Sequence, residues 1–423
     1  MIKFLLKGIF RDRARSLMPV IVVTIGVFVV VIMEGFIGGM MSNVVDMTAN
    51  FQTGHVKIVT RAYANDEEQK PNDLALLDVA EMMILLKRDF PEIDWTPRIM
   101  FGGLLDIPDV YGETKAQGPV VGQSFDLLSP DSREIERLGL IKAIVDGNVI
   151  QQSGEVLVSI DFSDKYKVKP GDKVTFFGST MYGSMSFANY RVAGIVRFGI
   201  SMLDRGAIIL DLSDARMLLD MEDAAGEIFG FFSNNNYDRG LAENVKNSFN
   251  SQYFTYEDEF SPVMLQLADQ QMMNQILFQT QSVGSVMVVL LIIALSIVLW
   301  NAGILGGIRR YNEFGIRLAM GEEKRRIYGT LLIESLSIGV IGSFIGTVLG
   351  LTLCQYLSVH GIDYSQLMEN ISMMLDPVIR AKVTLRTYYI GLIPGITSML
   401  IGTALAGRVI FKRKTAMLFK ELD

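Results

Sequence analysis

Four long apolar segments dominate the pattern of hydrophobic and polar positions along this chain. An α-helix rises about 1.5 Å per residue, so about 20 apolar residues cross a hydrocarbon layer about 30 Å thick. The pattern therefore predicts four transmembrane helices, at residues 17–41, in the later part of 271–305, at 327–359 and at 385–408.

The first and third predicted spans each contain one carboxylate, Glu34 and Glu334. A charged side chain at the middle of a bilayer costs about 3 kcal/mol and normally faces protein. We expect each carboxylate to pack against protein or to reach a membrane interface, with a structural role favoured over a functional one.

Between the first two spans, residues 42–270 change to short alternating runs separated by turn signals, which are typical of an α+β domain. We predict strands at 55–59, 155–158, 173–176, 190–196 and 207–210, and helices at 74–89, 131–138, 213–220 and 239–249. From about Pro262 onward we expect a helix that runs into the second span, so that 271–305 comprises a stalk and a transmembrane helix. The predicted fold class is an integral membrane α-helical protein with four transmembrane helices and a large extracytoplasmic α+β domain between helices one and two.

The charge distribution sets the orientation. Three short segments, 1–18, 306–327 and 408–423, carry 16 Lys and Arg residues against 6 Asp and Glu residues, whereas 43–282 carries 20 basic against 35 acidic residues. Basic loops are retained in the cytoplasm. The acidic domain is therefore expected outside, and its charge also argues against binding to nucleic acid.

This orientation places three segments in the cytoplasm: an amphipathic interfacial helix at 1–16, a loop at 306–326 and a tail at 409–423. The loop at 360–384 lies on the outer side. The expected location is the inner membrane of the cell, crossed several times, with both termini cytoplasmic and the large domain in the periplasm.

The sequence offers little for catalysis or metal binding. It has one cysteine, Cys354, which lies in an apolar run, and two histidines that are far apart, His55 and His360. We expect a buried thiol, a structural His55, no metal site and no catalytic residues, because no nucleophile elbow or HExxH motif is present. The chain is not expected to be an enzyme.

The loop between the second and third spans has the pattern of a short amphipathic helix. Tyr311, Phe314 and Leu318 share one face, and Glu313 is spaced to pair with Arg310 or Arg317. Gly321 is expected to end this helix. Such a helix lies along the membrane and offers aromatic and charged groups to a cytoplasmic partner; the alternative is a surface anchor that contacts only lipid headgroups.

This loop resembles that of the permeases of the FtsX/MacB/LolC–LolE superfamily of ABC transporters. The resemblance lies in Glu313-Phe314-Gly315-Ile316-Arg317-Leu318-Ala319-Met320-Gly321, with Phe314 where the family has an aliphatic residue. The glycine-rich third span, Gly339–Gly350, and segments such as Val168–Val174 in the large domain are also similar to the family. The order of one span, a large exterior domain and three spans matches as well.

The resemblance implies a coupling helix that docks on a separate ATPase subunit, formed by Tyr311, Glu313, Phe314, Gly315, Arg317, Leu318, Met320 and Gly321. The chain has no Gly-Lys dipeptide and hence no phosphate-binding Walker A loop. ATP and Mg²⁺ would therefore be bound by the partner ATPase, and this chain would hold no cofactor. In layout the chain is similar to the LolC and LolE permeases, which lack a fused ATPase.

Three functions fit this resemblance: extraction of lipoprotein or lipid-like cargo from the inner membrane, a MacB-like efflux pump for peptides or drugs, and FtsX-like signalling to a cell-wall hydrolase. The first predicts a cargo cleft lined by Val44, Val45, Met47 and Phe51. Small residues at Gly342, Gly346 and Gly350 suggest close helix packing, from which we expect a second permease copy or paralogue. Membrane lipids, and a periplasmic adaptor or lipoprotein carrier, are further expected partners.

Overall fold

The computed structural model describes residues 13–109, 111–198, 201–233, 236–255, 257–269, 271–309, 311–363 and 378–412. Contacts among these residues divide the chain after Ser42 and after Gln275 into a helical unit and an α+β unit. The predicted interfacial helix falls mostly outside the described residues, as does the tail beyond residue 412.

The α-helices are Arg13–Thr48 (α1), Arg61–Asn65 (α2), Val79–Asp89 (α3), Glu134–Arg137 (α4), Leu140–Ala143 (α5), Ile160–Tyr166 (α6), Ser201–Asp204 (α7), Leu212–Leu219 (α8), Arg239–Tyr253 (α9), Gln271–Arg309 (α10), Tyr311–Ala319 (α11), Lys324–His360 (α12), Leu385–Ile390 (α13) and Leu392–Lys412 (α14). The strands are Val56–Thr60 (β1), Ile93–Pro108 (β2), Thr114–Phe125 (β3), Ile144–Gly147 (β4), Glu155–Ser159 (β5), Lys173–Ser179 (β6), Met185–Val196 (β7), Ala207–Asp211 (β8), Glu227–Phe232 (β9), Pro262–Gln266 (β10), Ile362–Asp363 (β11) and Val378–Ile379 (β12).

The four predicted membrane helices are confirmed. Within the described residues, the segments long and apolar enough to span a membrane are Leu17–Thr53, Ser285–Ile304, Lys324–His360 and Leu385–Arg408. The first helix differs from its predicted bounds at both ends, because it already includes Arg13 and continues to Thr48. No proline or charge cluster interrupts the sequence after residue 41, so nothing local stops the helix there.

A five-residue π-helical turn, Ala49–Thr53, follows α1. The Gly54 N–H donates to the Ala49 carbonyl oxygen at 2.8 Å and closes this turn. Gly54 has a φ of 62°, a conformation that favours glycine, and it directs the chain into β1.

Inside the helical unit, α12 packs closely on α1 through Gly342, Gly346 and Gly350. A Cβ atom added at Gly346 would lie 2.6 Å from the carbonyl oxygen of Thr24 and 2.8 Å from Val27 Cβ. Small residues at this spacing let two helix backbones approach each other. The glycine stripe therefore serves packing within this chain and does not itself indicate a second permease copy, which stays a prediction.

The α+β unit is built on one sheet with the strand order β10-β1-β9-β2-β3-β8-β5-β7-β4, and β6 pairs with β2 and β7. The 16-residue strand β2 connects its two halves. Residues Ile93–Arg98 pair with β9, and Ile99–Pro108 pair with β3. The first half of β2 contributes Trp95 to one hydrophobic cluster, whereas the second half contributes Phe101 to another.

The chain enters and leaves the α+β unit through adjacent strands. β1 and β10 pair antiparallel, with Val56 opposite Gln266. The Leu267 N–H then donates to the His55 carbonyl oxygen at 3.1 Å. The predicted helix from Pro262 is therefore wrong: residues 262–266 form β10, and α10 begins at Gln271. β10 is an edge strand, where a proline at the first position is tolerated.

Gly346→Ala tests the packing of α12 on α1. The added methyl group has no room between the helices, and overpacking of this kind costs about 1–3 kcal/mol. We expect the melting temperature of the purified chain in detergent to fall. Gly329→Ala on the same helix is the matched control, since no atom lies within 4 Å of a Cβ added there. Equal melting temperatures of the two variants would contradict the observed packing.

Candidate functional site

The predicted coupling helix is α11, and a glycine turn fixes its end. Gly321 has a φ of 87°. Its N–H donates to the Leu318 carbonyl oxygen, and the Glu322 N–H donates to the Arg317 carbonyl oxygen, each at 3.0 Å. This is a Schellman motif, which satisfies the last free carbonyl groups of a helix. Gly321 therefore ends the helix, as the sequence predicts.

An ion pair reinforces the same turn. Arg317 Nε lies 2.7 Å from Glu322 Oε2, and Arg317 Nη2 lies 2.9 Å from Glu322 Oε1. Bidentate pairs of this type fix geometry as well as charge. The Arg317 guanidinium also holds the pKa of Glu322 below its ordinary value. The sequence pattern allowed Glu313 to pair with Arg310 or Arg317. The structure places the Arg317 guanidinium on Glu322, the residue that follows the glycine.

The two faces of α11 differ in exposure. Phe314 is buried and Leu318 is half-buried, whereas Ile316 is 62% exposed and Met320 is 75% exposed. Next to them in sequence, Lys324, Arg325 and Arg326 are exposed at the start of α12. The exposed apolar and basic side chains form a surface with the chemistry of a protein-binding site. Of the other predicted coupling residues, Glu313 is half-buried, and the side-chain surroundings of Tyr311 and Gly315 lie outside the described part of the chain.

Glu34 forms an ion pair with Arg386. Arg386 on α13 places its Nε 3.0 Å from Glu34 Oε1. The neighbouring residue Gly35 accepts a hydrogen bond from the Lys382 N–H at 2.9 Å. Glu34 therefore packs against protein, which matches the expectation for a carboxylate in a span. In the sequence, the one indication of this ion pair was Arg386, the arginine at the start of the fourth predicted span.

Glu334, the carboxylate in the third span, is half-buried on α12.

The residues proposed to line a cargo cleft are largely packed into the α+β unit itself. Phe51 is 6% exposed and belongs to a hydrophobic cluster with Phe125, and Met47 packs against that cluster. Val45 is 8% exposed, and Val44 is half-buried. Phe51 therefore contributes to the domain interior, and neither Val45 nor Phe51 lines an open surface of this chain.

Two clusters of buried charges lie in the α+β unit, and sequence reasoning predicted neither. In the first, Arg98 on β2 is 3% exposed and lies 2.7 Å from Glu134, which is 1% exposed. Glu134 also pairs with Arg137, and Arg137 pairs with Asp94. Burial lowers the pKa of Arg98; Glu134 opposes this shift, and Arg137 adds to it.

The second cluster joins β1 to β9. Lys57 is 1% exposed and lies 3.4 Å from Glu227, which lies 2.9 Å from Lys70. Lys57 also pairs with Glu67. Burial would raise the pKa of Glu227, but the positive charges of Lys57 and Lys70 outweigh burial and hold it below its ordinary value. Both clusters lie in a water-poor interior, where charges need partners.

His55 is structural, as predicted. It is 1% exposed, and its Nδ1 accepts a hydrogen bond from the Phe232 N–H at 3.0 Å. Burial, assisted by the nearby positive charge of Arg137, lowers the pKa of His55 to about 4. The ring is therefore neutral at physiological pH, and it joins the start of β1 to the end of β9.

Two family models cover most of the chain. Residues 16–279 match the MacB-like periplasmic core domain, and residues 285–415 match the FtsX-like permease C-terminal domain. The chain belongs to the FtsX/MacB superfamily of ABC-transporter permeases. Members of this family are permease subunits that work with ABC ATPase partners. The resemblance deduced from the loop is therefore confirmed at the level of the superfamily.

This FtsX/MacB permease is also similar to a solved structure. The crystal structure of the periplasmic region of MacB from Actinobacillus actinomycetemcomitans has 13% sequence identity and a TM-score of 0.37, and the match covers 55% of this chain and 95% of that chain. Among curated proteins, none matches the sequence.

The two histidines provide a pH test. The folded-state pKa of His55, about 4, lies below its unfolded value of about 6.5. The unfolded state therefore binds the proton first, and stability is lost as the pH falls from about 6.5 to about 4. The loss is on the order of 3 kcal/mol. His55→Gln, which keeps an acceptor for the Phe232 N–H, should flatten this part of the stability curve.

The measurement is chemical unfolding of the purified chain between pH 4 and 7, followed by tryptophan fluorescence. His360→Gln is the matched control, because His360 is exposed at the end of α12. If both variants lose stability with pH in the same way as the natural chain, the buried neutral state of His55 is wrong.

Proposed function

We propose that this chain is the permease subunit of an ABC transporter that uses ATP hydrolysis in separate ATPase subunits to extract lipoprotein or lipid-like cargo from the inner membrane. The observation that carries the proposal is the rigid, partly apolar surface at the end of α11. ATP and Mg²⁺ are bound by the partner subunits, and this chain supplies the docking surface and the moving parts.

The geometry of α11 supports a docking role. A helix that transmits force must not rotate or fray, and the glycine turn with the Arg317–Glu322 pair fixes its end. Ile316 and Met320 then present apolar surface that water solvates poorly. A partner that covers both side chains gains from their burial, while Lys324–Arg326 add electrostatic steering.

The strand topology supports mechanical transmission to the large domain. α1 leads through the π-helical turn into β1, and α10 begins at Gln271, shortly after β10 ends at Gln266. Because β1 and β10 are paired, a shift of either helix reaches the same edge of the sheet. In this proposal both termini and α11 are cytoplasmic, and the α+β unit lies in the periplasm, as the basic loops indicate.

The composition of the spans supports a lipid-like cargo. Glu34 is paired with Arg386, which leaves few polar groups in the described spans to line an aqueous path. A lipid anchor is held in the bilayer by about 0.8 kcal/mol per buried CH₂ group, so its removal needs an external energy source. A separate ATPase supplies that energy, and movement of the periplasmic domain delivers it to the outer leaflet.

Met320→Glu tests the docking surface. A charge in the middle of an apolar contact leaves a desolvated carboxylate without a partner, and we expect at least about a tenfold weaker association, which corresponds to about 1.4 kcal/mol. The measurement is the amount of ATPase subunit that copurifies with the tagged chain, together with its ATPase activity. Met217→Glu is the matched control, since Met217 is 82% exposed on the α+β unit.

If the Met320→Glu variant bound the ATPase as well as the natural chain, α11 would not be the docking surface. If the purified chain alone hydrolysed ATP, the proposal that a separate subunit supplies the ATPase would be wrong.

The cargo is tested by depletion of this chain in its own cell. We expect lipoproteins to accumulate in the inner membrane, measured by fractionation and mass spectrometry. Unchanged lipoprotein distribution together with sensitivity to drugs or peptides would favour efflux and contradict the proposal. Unchanged lipoprotein distribution with a defect in cell-wall cleavage would favour signalling.

A further inference from the structure

Arg98 contacts the end of the first transmembrane helix. Its Nη1 donates a hydrogen bond to the carbonyl oxygen of Asn50, which lies in the π-helical turn after α1. The guanidinium carbon lies 4.7 Å from the centre of the Phe125 ring and 4.6 Å from that of Phe229. The cation thus lies over two aromatic rings and is hydrogen-bonded to the turn after the helix.

The contact is made at the π-helical turn Ala49–Thr53, which follows α1. In a π-helix the carbonyl groups bond one residue further along than in an α-helix, and short π segments are rare and often functional. Phe51 in the same turn is packed beside Phe125. Apolar contact of this kind is not directional, whereas a guanidinium hydrogen bond fixes both distance and angle. Arg98 therefore sets the orientation of the turn.

The charges behind Arg98 hold the guanidinium in place. Glu134 lies between Arg98 and Arg137, and Arg137 reaches back to Asp94. Asp94 and Arg98 both lie on β2 and, four residues apart on a strand, point to the same side of the sheet. The helix end, the buried triad and β2 are thus connected through charged groups.

A buried Arg–Glu–Arg arrangement is a poor way to add stability. Apolar side chains of similar volume are often as stable or more stable at such positions, because desolvation of the charges cancels much of their attraction. A triad that contributes little net stability is explained by geometry that apolar residues cannot provide. Here that geometry is a directional contact between β2 and the π-helical turn that follows α1.

We infer that Arg98 is a positioning residue that locks the π-turn Ala49–Thr53 to β2, so that displacement of α1 is delivered to the strand shared by both halves of the sheet. The inference rests on the proposed function and deepens it, because it names the contact through which movement of α1 would reach the domain. The residues that form this contact are Asn50, Arg98, Glu134 and Arg137, and none of them lies in the sequence motifs that indicated the family.

The first experiment needs no ATPase. Hydrogen exchange is measured on the full chain in nanodiscs for the natural protein and for the double variant Arg98→Met/Glu134→Leu, which removes both members of one ion pair and leaves Arg137 with Asp94. We expect the double variant to fold, with a melting temperature close to that of the natural chain. The amides of residues 50–54 should exchange at least about ten times faster. Unchanged protection of these amides would overturn the inference.

Arg98→Lys covers the case in which the double variant does not fold. It keeps the buried charge for Glu134 but lacks the fork that reaches Asn50 and Glu134 together, so exchange at 50–54 should again rise. Arg88→Met is the matched control, because Arg88 is 63% exposed and pairs only with Asp89 among the described residues. Its exchange pattern at 50–54 should equal that of the natural chain.

The second experiment uses the complex with its copurified ATPase. Addition of ATP should change the exchange of both 44–54 and 93–100 in the natural chain. In the double variant the change should remain at 44–54 and be lost at 93–100, although the melting temperature is kept. A purely structural role for Arg98 does not predict this loss, and an equal response at 93–100 would overturn the inference.

The two experiments distinguish an error in the role of Arg98 from an error in the proposed function. Absence of any ATP response in the natural chain would overturn the proposed function, and with it the transmission through β2. The nucleotide-free arm would then still decide whether Arg98 holds the π-turn.

Discussion

The pairing of β1 with β10 is the constraint on which the rest of this permease depends. In a bilayer every backbone polar group must be satisfied within the protein, so the spans are helices. The domain between α1 and α10 starts and finishes on neighbouring strands. Opposite residues Val56 and Gln266, together with the hydrogen bond from Leu267 to His55, provide this closure. Both helices thus continue from one edge of one sheet.

Buried charges lie beside that edge, among the apolar side chains of the interior. Lys57 on β1 is bound by Glu227 on β9, and Arg98 on β2 is bound by Glu134 while it contacts the turn after α1. Removal of one partner from such a pair is costly, because an uncompensated charge remains in the interior. Strands β1 and β9 are therefore fixed relative to each other, and β2 to the turn after α1, by directional contacts.

Local signals predicted some strands and missed others for identifiable reasons. β1, β5 and β8 were found because each is a short run of β-branched and aliphatic residues. β2 was missed because it contains Pro97 and the pair Gly102–Gly103, which normally interrupt strands. In the fold, Pro97 lies opposite Ile228 and the glycines lie opposite β3, so long-range pairing overrides the local preference. The wrong helix at Pro262 has the same origin, since β10 forms only against β1.

The sequence by itself determined the four spans, the α+β class of the domain, the short helix between spans two and three and its end at Gly321. These follow from hydrophobic length, periodicity and backbone conformation, which act within about 20 residues. Only the tertiary structure decided that Glu34 meets Arg386, that the glycines of α12 pack on α1, and that Arg98 binds the turn after α1. Such partners are far apart along the chain, and their proximity results from the packing of many elements together.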